Sequence, residues 1–420
     1  AVAYSYAPGS GQLSSIATAD ATLAIAYDGP LVTKETLSGG VAASITRGFD
    51  TNFRISSLGV NGVSTAYGYD ADSLLTRAGD LTLARHPGHG MVSGSTLGSV
   101  TTSHSYNGFG ELAAFNAAHA GNALYGYSLA YDKGGRIVGR TETVQGASSA
   151  YSYTYDAAGR LSSVTRDGAS QGSWGYDANG NRTHEGGSLV AQFDAQDRLQ
   201  SRAGTSYRYT AHGTLREKVQ AGQTTRYGYD AFGNLRSVEL PGGGRIDYLV
   251  DGVNRRIGKK VNGVLVQGFV WQDQLRIAAE LDGLGNVIAR FAYGERPNVP
   301  ETMSKGGVTY RLLTDHLGSV RLAVDASSGA VAQRIEYDAW GRVLSDSNPG
   351  FQPFGFAGGV YDKDTQLVRF GARDYDAEVG RWTAKDPIGF AGGDGNLMAY
   401  VKGSPISHVD PDGHLVINAG

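Results

Sequence analysis

Two aspartates near the end of the chain carry the chemistry this sequence offers. Asp386 heads the box Asp386-Pro387-Ile388-Gly389, and Asp410 heads Asp410-Pro411-Asp412-Gly413, 24 positions later. Arg373 stands 13 positions before the first box. Two carboxylates that share a site cannot both ionise cheaply, so one holds a proton while the other stays charged. Such a pair titrates as a unit and can hydrolyse a peptide bond by acid–base chemistry through a water molecule. A neighbouring arginine would bias one carboxylate toward its charged form. Asp-Pro-x-Gly is also the signature of a type I turn. Spacing alone leaves both readings open, because it does not bring residues 386 and 410 together.

The rest of the chain must supply the positioning. It has 420 residues, with 37 basic against 40 acidic side chains and a net charge of −3. Neither a basic patch for nucleic acid nor an acidic tail is present. Charged residues make up only 18%, and glycine is abundant at 62 residues. The 24 tyrosines and 13 phenylalanines argue against disorder, since disordered chains are poor in aromatics. Much glycine with much tyrosine points to short strands joined by many turns. The absence of cysteine excludes a disulfide framework, cysteine–zinc sites and thiol catalysis. No apolar run reaches membrane-spanning length. The first residues, AVAYSYAPGSGQ, show no basic region followed by an apolar core, so no signal peptide is expected there. The abrupt start reads as part of a longer chain.

A repeat organises most of the sequence. Its unit is aromatic-x-Tyr-Asp-x-x-Gly-(Arg/Asn)-apolar, as in Tyr153–Leu161, Trp174–Arg182 and Tyr227–Leu235. Looser copies include Tyr67–Leu75 and Phe193–Leu199. Between Tyr155, Tyr176, Phe193, Tyr209, Tyr229 and Tyr248 the steps are 21, 17, 16, 20 and 19 residues. Tyr-x-Tyr places two aromatics on one face of a strand. Asp-x-x-Gly then predicts a type I turn closed by a left-handed residue. Asp197 and Asn254 take the glycine place in two copies, and both types tolerate that geometry. Each repeat is therefore a β-hairpin that is marginal alone and stable when its neighbours cover the aromatic face. The tyrosines are expected to pack rather than bind sugars. The arginine after the turn is expected to be solvated or to pair along the ladder. Ala78–Leu97 reads as a degenerate loop, and Glu295–Lys305, dense in proline, as an internal loop before a closing module.

The repeated YDxxGRL unit resembles the YD repeats of Rhs proteins, of the C components of insecticidal ABC toxin complexes, and of teneurins. The C-terminal part resembles the Rhs-associated core module more closely. The residues that carry this are DHLGSVR at Asp315–Arg321, EYDAWGRV at Glu336–Val343, and FGFAGGVYDKDTQLVRFGARDYDAEVGRW followed by KDPIGFAGG and NLMAY. The resemblance implies an all-β fold, in which hairpins form a long coiled antiparallel sheet. That sheet encloses a hollow shell, whole or partial, with the core module as a plug. It also implies three parts: a repeat shell over 1–305, the core module over 306–413, and the start of a variable segment at 414–420. The core module would be an intramolecular aspartyl protease that frees a C-terminal toxin held in the shell. Carried over by motif, Asp386 and Asp410 are the catalytic pair and Arg373 their supporting arginine. The cut falls between His414 and Leu415. In the family the second box runs straight into Gly-Leu; here His414 stands between Gly413 and Leu415.

The implied partners are the toxin itself, which these 420 residues do not include, and a second shell-forming chain or secretion component. The implied setting is secreted or at the surface of a bacterium, and no cofactor or metal is expected. The rival reading is a teneurin-like or wall-associated adhesion protein that binds glycans and has no catalysis. Gly392–Asn396 resembles the start of a calcium-binding glycine nonapeptide, but Leu397 occupies the place of a ligand, so a turn is expected. Asp315-His316 lacks a serine at an elbow motif and reads as a structural turn. His414 reads as a linker histidine rather than a base.

Overall fold

The computed structural model describes residues 1–419. The chain is all-β, as the sequence indicates: antiparallel strands fill it, and the described residues include no α-helix, only 3₁₀ turns at Phe356–Gly358, Gly389–Gly392 and Val401–Gly403. Two compact units divide it. One comprises Ala1–Gly98 and Asn234–Tyr310, the other Ser99–Gly233 and Arg311–Gly420.

In the first unit each strand pairs with the next by antiparallel ladders, from Ala3–Tyr6 onward and again from Leu235–Glu239 to Thr302–Lys305. Its core holds Leu23, Ile45, Leu58, Leu81, Ile246, Tyr248 and Phe269. Ala78–Leu97 is not the loop its sequence suggests. Leu81–Arg85 pairs with Val92–Leu97, and Leu81, Leu83 and Val92 are buried. Alternation over so few residues is enough once neighbouring strands cover one face. The proline-dense stretch is a true loop only up to Glu301. That side chain accepts the backbone N–H groups of Gly294 and Glu295, and Thr302–Lys305 then joins the sheet.

In the second unit the repeat shows its construction clearly. Asp156 opens a turn in which Gly159 N–H donates to the Asp156 carbonyl at 2.9 Å. Gly159 sits at φ 81°, and Asp197 and Asn254 take the same left-handed place at 60° and 65°. The Asp156 carboxylate accepts from the backbone of Ala158 and Arg160 and from Arg160 Nε at 2.7 Å. A bulge follows, shifting the register so that Tyr155 faces Leu161. The same turn clasp recurs at Asp132–Arg136 and Asp194–Arg198. The arginine is therefore not a solvated side chain. Arg160 also lies over the ring of Tyr176 in the next repeat, 4.6 Å from its centroid. The Tyr176 hydroxyl donates to the carbonyl of Leu161 at 2.7 Å. Arg136 with Tyr155 and Arg54 with Tyr69 repeat this pairing. Burial raises each of these tyrosine hydroxyls above its usual pKa, so they stay neutral donors.

The end of the chain forms its own small sheet on these repeats. Val360–Asp362, Leu367–Phe370, Arg373–Asp376 and Arg381–Trp382 pair antiparallel in order. Their aromatic core joins Phe356, Phe370, Tyr375, Trp382 and Tyr400, with the Tyr375 and Tyr400 rings 4.3 Å apart. Trp340 and Ile406 pack with Ile137, Tyr153, Leu161 and Val164 of the repeats. Hydrogen bonds fix the docking: Ile137 N–H to Ser407 Oγ at 3.0 Å, and Arg381 to Asn181 Oδ1 at 2.9 Å. His316, of the Asp315-His316 pair, shares a 2.9 Å hydrogen bond with the Ile406 carbonyl, and Asp315 Oδ1 accepts from Leu317 and Ser319 within its turn.

Candidate functional site

Two interlocked glycine turns build the site. Strands Leu367–Phe370 and Arg373–Asp376 are joined at Gly371, whose φ is 39°. A Cβ there would fall 2.2 Å from the carbonyl oxygen of Asp412. Gly413, at φ 72°, answers from the second box, where a Cβ would fall 2.5 Å from the Phe370 carbonyl. No side chain fits at either contact, and each glycine also adopts a backbone conformation that L residues disfavour. Ala372 N–H donates to the Asp412 carbonyl at 2.9 Å and closes the junction. The second box is thus pressed against the start of the strand that carries Arg373.

The first box is a turn, as its sequence says, with Gly389 N–H donating to the Asp386 carbonyl and Ile388 N–H to Asp386 Oδ1, each at 3.0 Å. Its other carboxylate oxygen is left to face Arg373. Arg373 Nη2 lies 3.1 Å from Asp386 Oδ2 and 2.9 Å from Asp410 Oδ2. One nitrogen therefore spans both aspartates, and their oxygens lie no farther apart than these two contacts end to end. Turn and juxtaposition coexist in the same residues. All three side chains are shielded, at 5%, 8% and 1% exposure for Arg373, Asp386 and Asp410. The Arg373 guanidinium also stacks over Trp382, 4.1 Å from the ring centroid.

Burial pushes the Asp410 carboxyl up to about 6, with Arg373 pulling the other way and the carboxylate of Asp412 adding to the rise. Burial lowers the Arg373 pKa, opposed by the charges of Asp386 and Asp410. The group that holds a proton most readily and the cation that supports its partner are therefore in contact.

The expected cut site is beside them. His414 N–H donates to Asp410 Oδ1 at 2.9 Å and also to Asp412 Oδ1 at 2.9 Å. Leu415 is half exposed, and its N–H donates to Asp412 Oδ1 at 3.1 Å. The His414 imidazole lies 3.9 Å from Asp412, too far for a hydrogen bond. Past the loop, His408–Val409 pairs with Ile417–Asn418, so both ends of the segment are tied. All five residues singled out by the sequence are thus brought to one place. Asp412, which accepts from the same backbone, and Gly392, which lies beside the His414 carbonyl, were not singled out for this site. A carboxylate two residues before the expected cut was the available signal for Asp412; Gly392 was read only as part of a turn. Among the described residues no group of His, Asp and Glu side chains has the arrangement of a metal site.

Comparison with known proteins agrees with this architecture. A family model described as the teneurin YD-shell matches residues 1–391. Human teneurin-4 is 26% identical over 379 residues, covering 85% of this chain and 13% of that protein. Zebrafish (Danio rerio) teneurin-3 is 28% identical over 307 residues, covering 68% of this chain and 11% of its own length. A Bacillus spizizenii protein named tRNA3(Ser)-specific nuclease WapA is 29% identical over 296 residues, covering 64% of this chain and 11% of its own. The crystal structure of TcdB2-TccC3 shares the fold with a TM-score of 0.71 at 16% identity, over 98% of this chain and 26% of that one. This chain thus spans only a small part of the relatives it matches. With that family model matching residues 1–391 of 420, nearly the whole length, the chain belongs to the teneurin YD-shell family.

Proposed function

We propose that this chain is part of a shell that contains a C-terminal toxin and releases it by cutting itself once. In this reading residues 1–305 form the shell wall, 306–413 the release module and 414–420 the start of the variable segment, which is freed from Leu415 onward. The observation that carries it is the bridge from Arg373 Nη2 to both Asp386 and Asp410, with the His414 backbone bonded to Asp410. Asp410, with its raised pKa, is the acid, and Asp386 is the base. Asp386 takes a proton from water as the water oxygen bonds to the His414 carbonyl carbon. The C–N bond then breaks as Asp410 gives its proton to the Leu415 nitrogen. The products are a new carboxyl end at His414 and a free amine at Leu415, and no cofactor is consumed. Holding the bond inside the same chain supplies a high effective concentration, so a modest catalyst suffices for one turnover.

The test is intact-mass measurement on a chain carrying a reporter protein after Gly420. The wild type is expected to be cut at His414–Leu415. Asp386→Asn and Asp410→Asn should each stay whole with an unchanged fold, and Arg373→Ala should slow the cut by roughly 100-fold. The rate should be highest at mildly acidic pH and fall as pH rises through about 6, where Asp410 loses the proton it must donate. A wild-type chain that stays whole at every pH, or Asn variants cut as fast as wild type, would sink this reading.

A second reading, surface adhesion, draws on the teneurin relatives. It calls for exposed aromatics as ligand contacts, and Tyr4 and Tyr6 are more than half exposed. Specific hits on a glycan array, lost on Tyr4→Ala and Tyr6→Ala, would favour it.

A further inference from the structure

The peptide between His414 and Leu415 is bordered on both sides by residues outside the aspartate pair. On its nitrogen side, Asp412 Oδ1 accepts the N–H of His414 at 2.9 Å and of Leu415 at 3.1 Å. The Leu415 nitrogen is the one that leaves when this bond is hydrolysed. On its carbonyl side, a Cβ placed on Gly392 would fall 2.8 Å from Asp386 Oδ2 and 3.1 Å from the His414 carbonyl oxygen. Those two oxygens therefore flank one small space, kept open only because residue 392 has no side chain. A Cβ contact under 3.0 Å with a carboxylate wedged against a buried arginine cannot be relieved cheaply.

We propose that Asp412 and Gly392 are positioning residues for the cut, Asp412 fixing the nitrogen side of the His414–Leu415 peptide and Gly392 leaving open the approach to its carbonyl. This deepens the autoproteolytic reading and rests on it. The physical case has three parts. One carboxylate oxygen holds the N–H of the scissile peptide, from Leu415, and that of the peptide before it, from His414, and so orients the scissile bond; small errors in such placement cost large factors in rate. A carboxylate on the N–H draws electron density onto the leaving nitrogen and makes it easier to protonate. The open space at Gly392 lets a water reach Asp386 and the carbonyl carbon together. Asp412 also acts on its neighbour, since its charge helps to hold the proton on Asp410.

Three variants separate these roles from a structural one. Asp412→Asn keeps an acceptor oxygen but loses the charge, so the cut should stay at His414–Leu415 while the pH profile moves to lower pH. Asp412→Ala loses both, so cleavage should slow by roughly tenfold or more, with a second product cut at a neighbouring bond. Gly392→Ala should slow cleavage by roughly tenfold or more at temperatures where the variant is still fully folded. An independent readout is amide hydrogen exchange in the uncut Asp386→Asn chain, where adding Asp412→Ala should remove protection at residues 414 and 415. The proposal is overturned if Asp412→Ala is cut at the wild-type rate, bond and pH profile, or if protection at those amides does not change. Gly392→Ala cut as fast as wild type overturns its half. A wild-type chain never cut, but with protection still dependent on Asp412, fails at the autoproteolytic reading instead, and the clamp then has no catalytic use.

Discussion

At the scale of single residues, Asp410 is the group whose state the structure biases most clearly. Its folded pKa is near 6 against an ordinary value of 3.8, with burial as the largest cause. A carboxyl with a raised folded pKa favours the fold while protonated. Its contribution is fully present below about pH 4 and is lost as pH rises from there through about 6. Asp410→Asn should therefore flatten the fall in stability between pH 4 and pH 7 by on the order of 2–3 kcal/mol, read by urea melts at each pH. Failure to flatten it would mean that the proton is held elsewhere. At this scale the sequence was informative where residues belong to a recognisable module: Asp386 and Asp410 of the two boxes, and Arg373 upstream of them, lie in contact, a closeness that only the resemblance implied. It was silent where a role depends on tertiary closeness. Asp412 fills the free position of its box, and Gly392 sits in a glycine-rich run where a turn was reason enough.

At the scale of elements, each hairpin was legible because its turn is local. Asp, Gly and the left-handed substitutes Asp197 and Asn254 announce it within a few residues. The link between hairpins was not legible. Arg160 and Tyr176 belong to different repeats, and only the folded sheet shows the guanidinium over the ring and the hydroxyl on the Leu161 carbonyl. Read locally, that arginine was left between solvent and pairing along the ladder, with no partner named. Tyr176→Phe removes the hydroxyl alone and should cost about 1 kcal/mol. Arg160→Ala removes the turn clasp, the stacking and a 2.9 Å bond to the Asp177 carbonyl, and should cost about 2 kcal/mol. Denaturant melts measure both. A larger loss from Tyr176→Phe than from Arg160→Ala would show that the hydroxyl, not the arginine, joins the repeats. Ala78–Leu97 makes the converse point, since strands with too little pattern to read alone form when neighbours cover them.

At the scale of the whole molecule, composition was enough to point to short strands and to exclude a disulfide scaffold, and the repeat, through the family it resembles, was enough to give an all-β fold. The division into two units, each drawn from two separated stretches of chain, was out of reach. A repeat of near-uniform units carries no mark of which distant copies will pack together. The latch between repeats, however, has a sense of direction. In every instance described, the carbonyl that accepts belongs to the earlier repeat and the hydroxyl that donates to the later one, as with Leu161 and Tyr176, Ile137 and Tyr155, and Ile55 and Tyr69. A ribosome makes the acceptor before the donor, so each hairpin emerges with its anchorage already in place. Pairing within the sheet can then follow synthesis one hairpin at a time, like masonry laid course upon course, while the packing of a unit's two stretches is completed when the later one arrives.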